Sequence, residues 1–319
     1  MRAEATESTE ATPSGDFEPS SPIGRALVLI GDMWTVRIVR AVFLGVRRFQ
    51  DLRDELAISD PVLARRLRSL VDDGVLTTRQ YSTHPPRSEY LLTDAGLDLW
   101  QVLVAMWAWD RTWAGPSHPL ARAELTHLTC DRVTRPVFGD RACGAIGLGA
   151  RDVRVDVADL VLHEATDRRS RRSPALAAPL DSTGVLGDRW STLILADALM
   201  GSRRFTDFEA HLGIAPVTLT RRLALFVDVG LFTHDVARDG GRRRVYTPTP
   251  QAVDFFSVFA AVNRWAEQWQ SDDGASGLRF THRACGQTLV PAYTCNACNQ
   301  VLERADVLFT GLDREAMRR

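Results

Sequence analysis

The sequence predicts a mainly α fold with small β-hairpins (α+β class), written twice in one chain. Three observations predict it. A set of short tokens recurs at a constant distance. Each copy carries the same caps, breakers and hairpin signals in the same order. Each copy ends in a segment whose His, Cys and Asp spacing suits a metal ion.

The repeat sets the frame. Gly31-Asp32-Met33-Trp34 returns as Gly187-Asp188-Arg189-Trp190, an offset of 156 residues. Arg47-Arg48-Phe49 returns as Arg203-Arg204-Phe205, and Arg65-Arg66-Leu67 as Arg221-Arg222-Leu223. Gly74, Arg87, Tyr90 and Trp109 map onto Gly230, Arg243, Tyr246 and Trp265. One residue is then lost, so His127, Cys130, Pro136 and Cys143 return as His282, Cys285, Pro291 and Cys298 at an offset of 155. Register kept over such a length signals an internal duplication. The 319 residues also fit two domains, because single cores rarely grow past about 250–300 residues.

In the first copy, Ile23–Ile30 is an apolar helical stretch closed by Gly31, and Asp32 is placed to cap a helix over Trp34–Leu44. Phe49–Leu56 is a short third helix. Ser59 is positioned as N-cap of a fourth, running to Asp72, with Pro61 in the permissive first turn. On it Leu63, Leu67, Leu70 and Val71 form one apolar stripe, and Gly74 stops it. Two β-favouring runs, Val75–Tyr81 and Ser88–Leu92, flank the loop His84-Pro85-Pro86. Thr93 or Asp94 then caps one long closing helix bearing Trp100, Trp107, Trp109 and Trp113. Short helices, a hairpin and a closing helix in this order make a winged helix-turn-helix. The second copy repeats the plan, with its recognition-type helix at Pro216–Asp228 and its hairpin at Leu231–Thr247.

The expected organisation is a disordered acidic tail over 1–20, a first winged helix over 21–115 and a degenerate zinc-ribbon-like segment over 120–160. A linker over 161–178, a second winged helix over 179–271 and a zinc-ribbon-like segment over 278–312 follow. The linker holds Arg168, Arg169, Arg171 and Arg172 among Ser, Ala and Pro. A 45% apolar and 25% charged composition excludes wholesale disorder. No apolar run approaches the roughly 18–20 residues of a membrane span, and the tail lacks the apolar core of a secretory signal. Five cysteines, an odd number, point to a reducing cytoplasm.

At this point the residues carry a family resemblance. Gly31-Asp32-x-Trp34-Thr35, Leu44-Gly45-x-Arg47-Arg48-Phe49-x-x-Leu52 and Ile58-Ser59-x-x-x-Leu63-x-Arg65-Arg66-Leu67 are part of it. So is Pro86-Arg87-x-x-Tyr90-x-Leu92-Thr93-x-x-Gly96. Together they resemble the HxlR-type winged helix-turn-helix regulators of bacteria, over about 90 residues in each half. The resemblance implies a transcription factor that binds double-stranded DNA, in a family that usually works as dimers of single domains. Many relatives place a redox-active Cys-Pro pair before the first helix, where this chain has Ser21-Pro22.

In such a fold the second helix of the pair enters the major groove. The residues expected to face DNA are Ser59, Pro61, Ala64, Arg65, Arg66 and Arg68, with Asp60 beside them. Val217, Thr218, Thr220, Arg221 and Arg222 are expected in the second copy, beside Pro216 and Ala224. The wings add Arg79 and Arg87 in one copy and Arg242, Arg243 and Arg244 in the other. Alone, an Arg pair is usually a solvated helix face. Its occurrence twice on the recognition-type helix favours DNA. The two faces differ, so unlike half-sites are expected. The net charge of −1 gives no global hint, although all 39 basic residues are Arg.

His282, Cys285, Cys295 and Cys298 follow the spacing His-x2-Cys-x9-Cys-x2-Cys, which suits a closed, structural zinc site. In the first copy His127, Cys130, Asp140 and Cys143 repeat it, with Asp140 in place of one Cys. That set either binds a second zinc or has lost its metal. The aromatic surplus of the closing helices suggests a pseudo-dimer within one chain or a homodimer. Glycine-rich phosphate loops and nucleophile elbows are missing, so an enzyme is not expected. The alternative function is a zinc-containing protein-interaction module that does not bind DNA.

Overall fold

Helix α1 (Pro22–Ile30) starts where the Ser21 hydroxyl accepts a hydrogen bond from the Gly24 amide at 3.2 Å. The computed structural model describes residues 21–116, 118–157, 181–236, 244–271 and 277–310. The tail expected over 1–20 and the linker over 161–178 lie outside the described residues. Helix α2 (Met33–Phe43) is capped by Asp32, which accepts from the Trp34 and Thr35 amides. Helices α3 (Phe49–Leu56) and α4 (Asp60–Asp72) form the helix-turn-helix pair, and α4 buries Leu63, Leu67 and Leu70 as its stripe predicts. Strands β1 (Leu76–Thr83) and β2 (Pro86–Leu92) make the wing. It is longer than expected, because pairing resumes past a bulge and continues out to Thr83 and Pro86.

The expected single closing helix is divided into α5 (Asp94–Asp98) and α6 (Trp100–Trp113). The Leu99 amide turns back to the Gly96 carbonyl at 3.3 Å, a tightened turn that redirects the chain. Strands β3 (Glu124–His127), β4 (Arg132–Thr134), β5 (Val137–Asp140) and β6 (Val153–Val157) complete the first half. The second half runs α7 (Ser182–Leu186), α8 (Arg189–Met200), α9 (Phe205–Leu212) and α10 (Pro216–Asp228). Its wing is β7 (Phe232–Val236) and β8 (Arg244–Pro248), followed by α11 (Pro250–Asp254) and α12 (Phe256–Trp269). Strands β9 (Leu278–His282), β10 (Pro291–Thr294) and β11 (Val307–Thr310) end the described chain. Among the described residues no helix is long and apolar enough to cross a membrane.

The two halves are not beads on a string. Helix α1 packs on α12, its repeat equivalent α7 packs on α6, and α6 and α12 pack on each other. Each half thus lays its first helix on the closing helix of the other, about a pseudo-two-fold axis. The tryptophans obey the same symmetry. Trp109 Nε1 donates to the Gln251 carbonyl at 2.9 Å, and Trp265 Nε1 to the Ala95 carbonyl at 2.8 Å. Trp113 reaches Asp254 at 3.1 Å and Trp269 reaches Asp98 at 2.9 Å. The aromatic surplus of the closing helices is therefore spent between halves. Gly31 belongs to this interface too, since a Cβ there would stand 2.7 Å from the Leu186 carbonyl oxygen of the other half.

The tails interlock as well. Strand β5 pairs with β10, β3 with β11 and β6 with β9, each antiparallel and each across the halves. Only β3–β4 is a local hairpin among the tail strands described.

One interface contact breaks the symmetry. The buried Asp110 carboxylate accepts from the Ser182 amide at 2.6 Å and from its hydroxyl at 2.8 Å. The equivalent residues on the other side of the axis are Ala266 and Ala26, both fully buried. Burial raises the Asp110 carboxyl to about 7, although the Ser182 bonds oppose that rise. A folded pKa above the unfolded value of about 3.9 means the folded state holds the extra proton between the two. Asp110 therefore favours folding fully below about pH 4, and this contribution fades as pH rises through about 7. Urea midpoints for Asp110→Asn should flatten against pH in that window. An unchanged slope would show that Asp110 does not titrate there.

The turn of the first helix pair holds a second asymmetry. Ala57 adopts a left-handed conformation at φ 49°, where the second half has Gly213 at φ 58°. A left-handed conformation costs an L residue about 1–2 kcal/mol. Ala57→Gly should raise the stability of the chain by about 1 kcal/mol, as read from urea unfolding.

Candidate nucleic-acid interface and metal centres

Helices α4 and α10 present matching faces. Ser59 stands at the N-cap of α4 with no capping bond from its hydroxyl, and Pro61, Arg65 and Arg68 are exposed beside it. Ala64 is half-buried, and Asp60 lies 3.7 Å from Arg53 on α3. On α10, Val217, Thr220 and Arg221 are exposed and Thr218 is half-buried. Val217 is 65% exposed, unusual for an aliphatic side chain at a helix start. The Thr220 hydroxyl donates to the Pro216 carbonyl at 2.8 Å.

Arg66 and Arg222 are placed differently from the other arginines. Arg66 reaches Asp32 at 2.5 Å, and Arg222 reaches Asp188 at 2.8 Å. Both acids are N-caps, of α2 and α8, so each Arg ties the recognition helix to the helix before the pair. This explains why the tokens Gly-Asp-x-Trp and Arg-Arg-Leu recur together. It also leaves Arg65 and Arg221, rather than their neighbours, as the outward arginines of each pair. Asp188 is 3% exposed and Asp32 is 21% exposed at the side chain. Removing one partner of a buried pair costs about 3–5 kcal/mol, against about 0–1 for an exposed one. The Arg66–Asp32 pair is half-buried, between these limits, so Arg222→Ala should lower stability more than Arg66→Ala in urea titrations. Equal losses would contradict that ordering.

In the first wing Arg79 pairs across the strands with Glu89, Nε to Oε1 at 2.8 Å, while Arg87 is exposed near the tip. In the second wing Arg244 is exposed on β8, and Arg242 and Arg243 lie outside the described residues. The repeated Arg-Arg-Phe token braces both wings: the Tyr90 amide donates to the Arg47 carbonyl and the Tyr246 amide to the Arg203 carbonyl, each at 2.8 Å. Arg48 lies over the Tyr81 ring at 4.7 Å. These contacts had no sequence signal beyond the repeat itself.

The candidate metal-ligating residues come together, but not in the expected sets. His282, Cys285, Cys295 and Cys298 do not form one site, and neither do His127, Cys130, Asp140 and Cys143. Instead His127 and Cys130 join Cys295 and Cys298, and Asp140 and Cys143 join His282 and Cys285. In each group the donor atoms all lie within 4.8 Å of one another. The reason is the strand exchange, which carries each knuckle to a partner in the other half.

The geometry suits a tetrahedral ion. With bonds of about 2.3 Å to sulfur and about 2.0 Å to nitrogen, tetrahedral edges are about 3.8 Å between sulfurs and about 3.5 Å between sulfur and nitrogen. In the first group Cys130 and Cys295 Sγ are 3.8 Å apart, and His127 Nδ1 is 3.3 Å from both Cys130 and Cys298 Sγ. In the second, His282 Nδ1 is 3.2 Å from Cys143 Sγ, 3.3 Å from Cys285 Sγ and 3.5 Å from Asp140 Oδ2. Cys143 Sγ is 3.3 Å from that same carboxylate oxygen.

All four knuckles are built alike. Asp131, Gly144, Gly286 and Asn299 each follow the second ligand, and each has positive φ. Asp, Asn and Gly are the residues that tolerate this conformation. Asp140 also mimics the Cys it replaces. Its Oδ1 accepts the Ala142 amide at 2.9 Å, as Cys295 Sγ accepts the Ala297 amide at 3.4 Å, so Oδ2 is left to face the other donors. Burial opposes ionisation of Cys295, but the Thr134 hydroxyl and the Ala297 and Cys298 amides outweigh it and draw the thiol down to about 6. Such a thiol readily supplies the thiolate a metal requires.

Comparison with known proteins follows the repeat. Residues 29–118 and 185–273 each match the HxlR-like helix-turn-helix family. An uncharacterized HTH-type transcriptional regulator of Mycobacterium tuberculosis is 42% identical over 129 residues, 40% of this chain and 80% of that protein. Another, from Synechocystis, is 34% identical over 111 residues, 34% of this chain and 82% of the relative. Among solved structures, a proposed transcription factor from Pseudomonas aeruginosa is 36% identical over 33% of this chain and 70% of its own, with a TM-score of 0.27. Each of these relatives is matched over about 70–82% of its own length by a stretch shorter than half of this chain. With both halves matched, the chain belongs to the HxlR-like helix-turn-helix family and carries two copies of its domain in one polypeptide.

Proposed function

We propose that the chain is a cytoplasmic, DNA-binding transcriptional regulator that supplies both halves of a two-fold DNA reader from one polypeptide. The observation that carries this reading is the pair of exposed arginines, Arg65 and Arg221, at equivalent places on α4 and α10 of a pseudo-two-fold scaffold. Arg suits the task because its planar fork grips phosphate or guanine with two hydrogen bonds. The other candidate contacts on these helices are Ser59, Pro61, Ala64 and Arg68, and Val217, Thr218 and Thr220. Arg87 and Arg244 extend the contact along the wings, and the chain acts by binding rather than by catalysis.

Zinc is the metal that the donor sets suit. His with three Cys, and His with two Cys and Asp, are N, S and O ligands that zinc accepts, and four protein ligands leave no open position. Its role is structural. Mobility-shift assays of the full chain on its own upstream DNA, at several salt concentrations, test the regulator. Specific binding that weakens steeply with salt is expected. No shift on any genomic fragment would overturn DNA binding and favour a protein-interaction module.

A further inference from the structure

The composition of the two ligand sets is the same whether the knuckles pair within halves or across them. Either way one set holds a His and three Cys, and the other holds a His, an Asp and two Cys. Strand exchange alone makes the difference. In the β5–β10 ladder Asp140 pairs with Pro291 and Val137 with Thr294, so Asp140 and Cys295 stand at opposite ends. The two ligand sets therefore occupy opposite ends of a ladder that itself crosses the halves.

The sets also differ in softness and shelter. In the first, His127 and Cys295 are buried and Cys130 and Cys298 half-buried. In the second, His282 and Asp140 are buried, but Cys143 is exposed and Cys285 lies on the border between half-buried and exposed. Asp140 offers one oxygen only, because Oδ1 is held by the Ala142 amide and by the Val290 amide at 3.1 Å. Three thiolates favour zinc more than two thiolates and one carboxylate oxygen.

We propose that the chain holds two zinc ions as unequal clasps between its halves. One is a retained ion at His127, Cys130, Cys295 and Cys298, and the other an exchangeable ion at Asp140, Cys143, His282 and Cys285. This rests on the zinc assignment above. The clasps tie each tail to the opposite half, so loading of the exposed site sets how firmly the tails lock the pseudo-dimer.

Zinc content of the purified full chain, measured by elemental analysis, tests the proposal. The wild type should carry two equivalents, and a metal-free wild type would overturn the zinc assignment itself. Cys143→Ser with Cys285→Ser should keep one ion, because both residues belong to one clasp. Cys285→Ser with Cys298→Ser should keep none, because it breaks both. The reverse pattern, none and one, would overturn sharing between halves while leaving zinc intact. If the second variant fails to fold, the first decides alone, since its two thiols lie at the surface. Under EDTA the wild type should lose its zinc in a fast and a slow phase. The fast phase should be missing in Cys143→Ser with Cys285→Ser, and slowed at least tenfold in Asp140→Cys. Release in a single phase would overturn the inequality.

Discussion

Trp265→Ala should cost the chain about 3–5 kcal/mol of stability, the loss usual for truncating a buried Trp. The side chain is 2% exposed, and its Nε1 donates across the halves to Ala95. Truncation removes core volume and leaves a carbonyl without its donor, two losses that add. Trp109→Ala should behave similarly, with Trp109 packed edge-on to Phe255 at 5.3 Å and bonded to Gln251. Trp265→Phe separates the parts, because it keeps most of the ring and loses the hydrogen bond, worth about 0.5–1.5 kcal/mol net. Both residues sit on α6 and α12, which pack on each other, so the double Ala variant should depart from additivity. Urea unfolding followed by circular dichroism reads all four variants. A loss below about 1 kcal/mol for Trp265→Ala would mean that the halves do not share a core.

Arg65→Ala with Arg221→Ala should abolish specific DNA binding while leaving the fold intact. Each bidentate base contact contributes about 1–3 kcal/mol of discrimination, and a phosphate contact shifts the salt slope by about one unit. Together the two losses amount to about 10²–10⁴ in affinity if each Arg grips its half-site. Both residues are exposed, so their removal should not disturb the core. Arg66→Ala is the contrasting control, since its guanidinium is already held by Asp32 and its loss costs less stability than that of Arg222. Filter-binding isotherms at two salt concentrations distinguish them, and unchanged affinity in the double variant would sink the assigned interface. The two faces also differ, Pro61, Ala64 and Arg68 against Val217, Thr220 and Ala224. Val217, 65% exposed, offers an apolar contact of the kind that reads a thymine methyl. Site selection should therefore return unlike half-sites.

Much of the fold was legible because its signals are local. Asp32, Thr93 and Pro61 announce helix starts through capping and fixed φ, and the leucine stripe of α4 announces its buried face. The split at Leu99 was not legible, because it depends on how α5 docks under the wing, where a Cβ on Gly96 would stand 2.2 Å from the Val75 carbonyl oxygen. The arginines show the same limit. Arg65 and Arg66 are adjacent and chemically identical, and only the position of Asp32 across the fold separates an outward side chain from a brace.

By itself the sequence determined that the unit is duplicated, that each copy is a winged helix-turn-helix, and that eight His, Cys and Asp residues stand at ligand spacing. Helix caps, apolar periodicity and short-range spacing are properties of neighbouring residues. The tertiary structure decided which of these candidate ligands come together. Two copies with the same spacings can close within themselves or across each other with identical ligand counts, so nothing local distinguishes the two. The choice falls to the long-range pairing of β3, β5 and β6 with β11, β10 and β9, and to first helices laid on opposite closing helices.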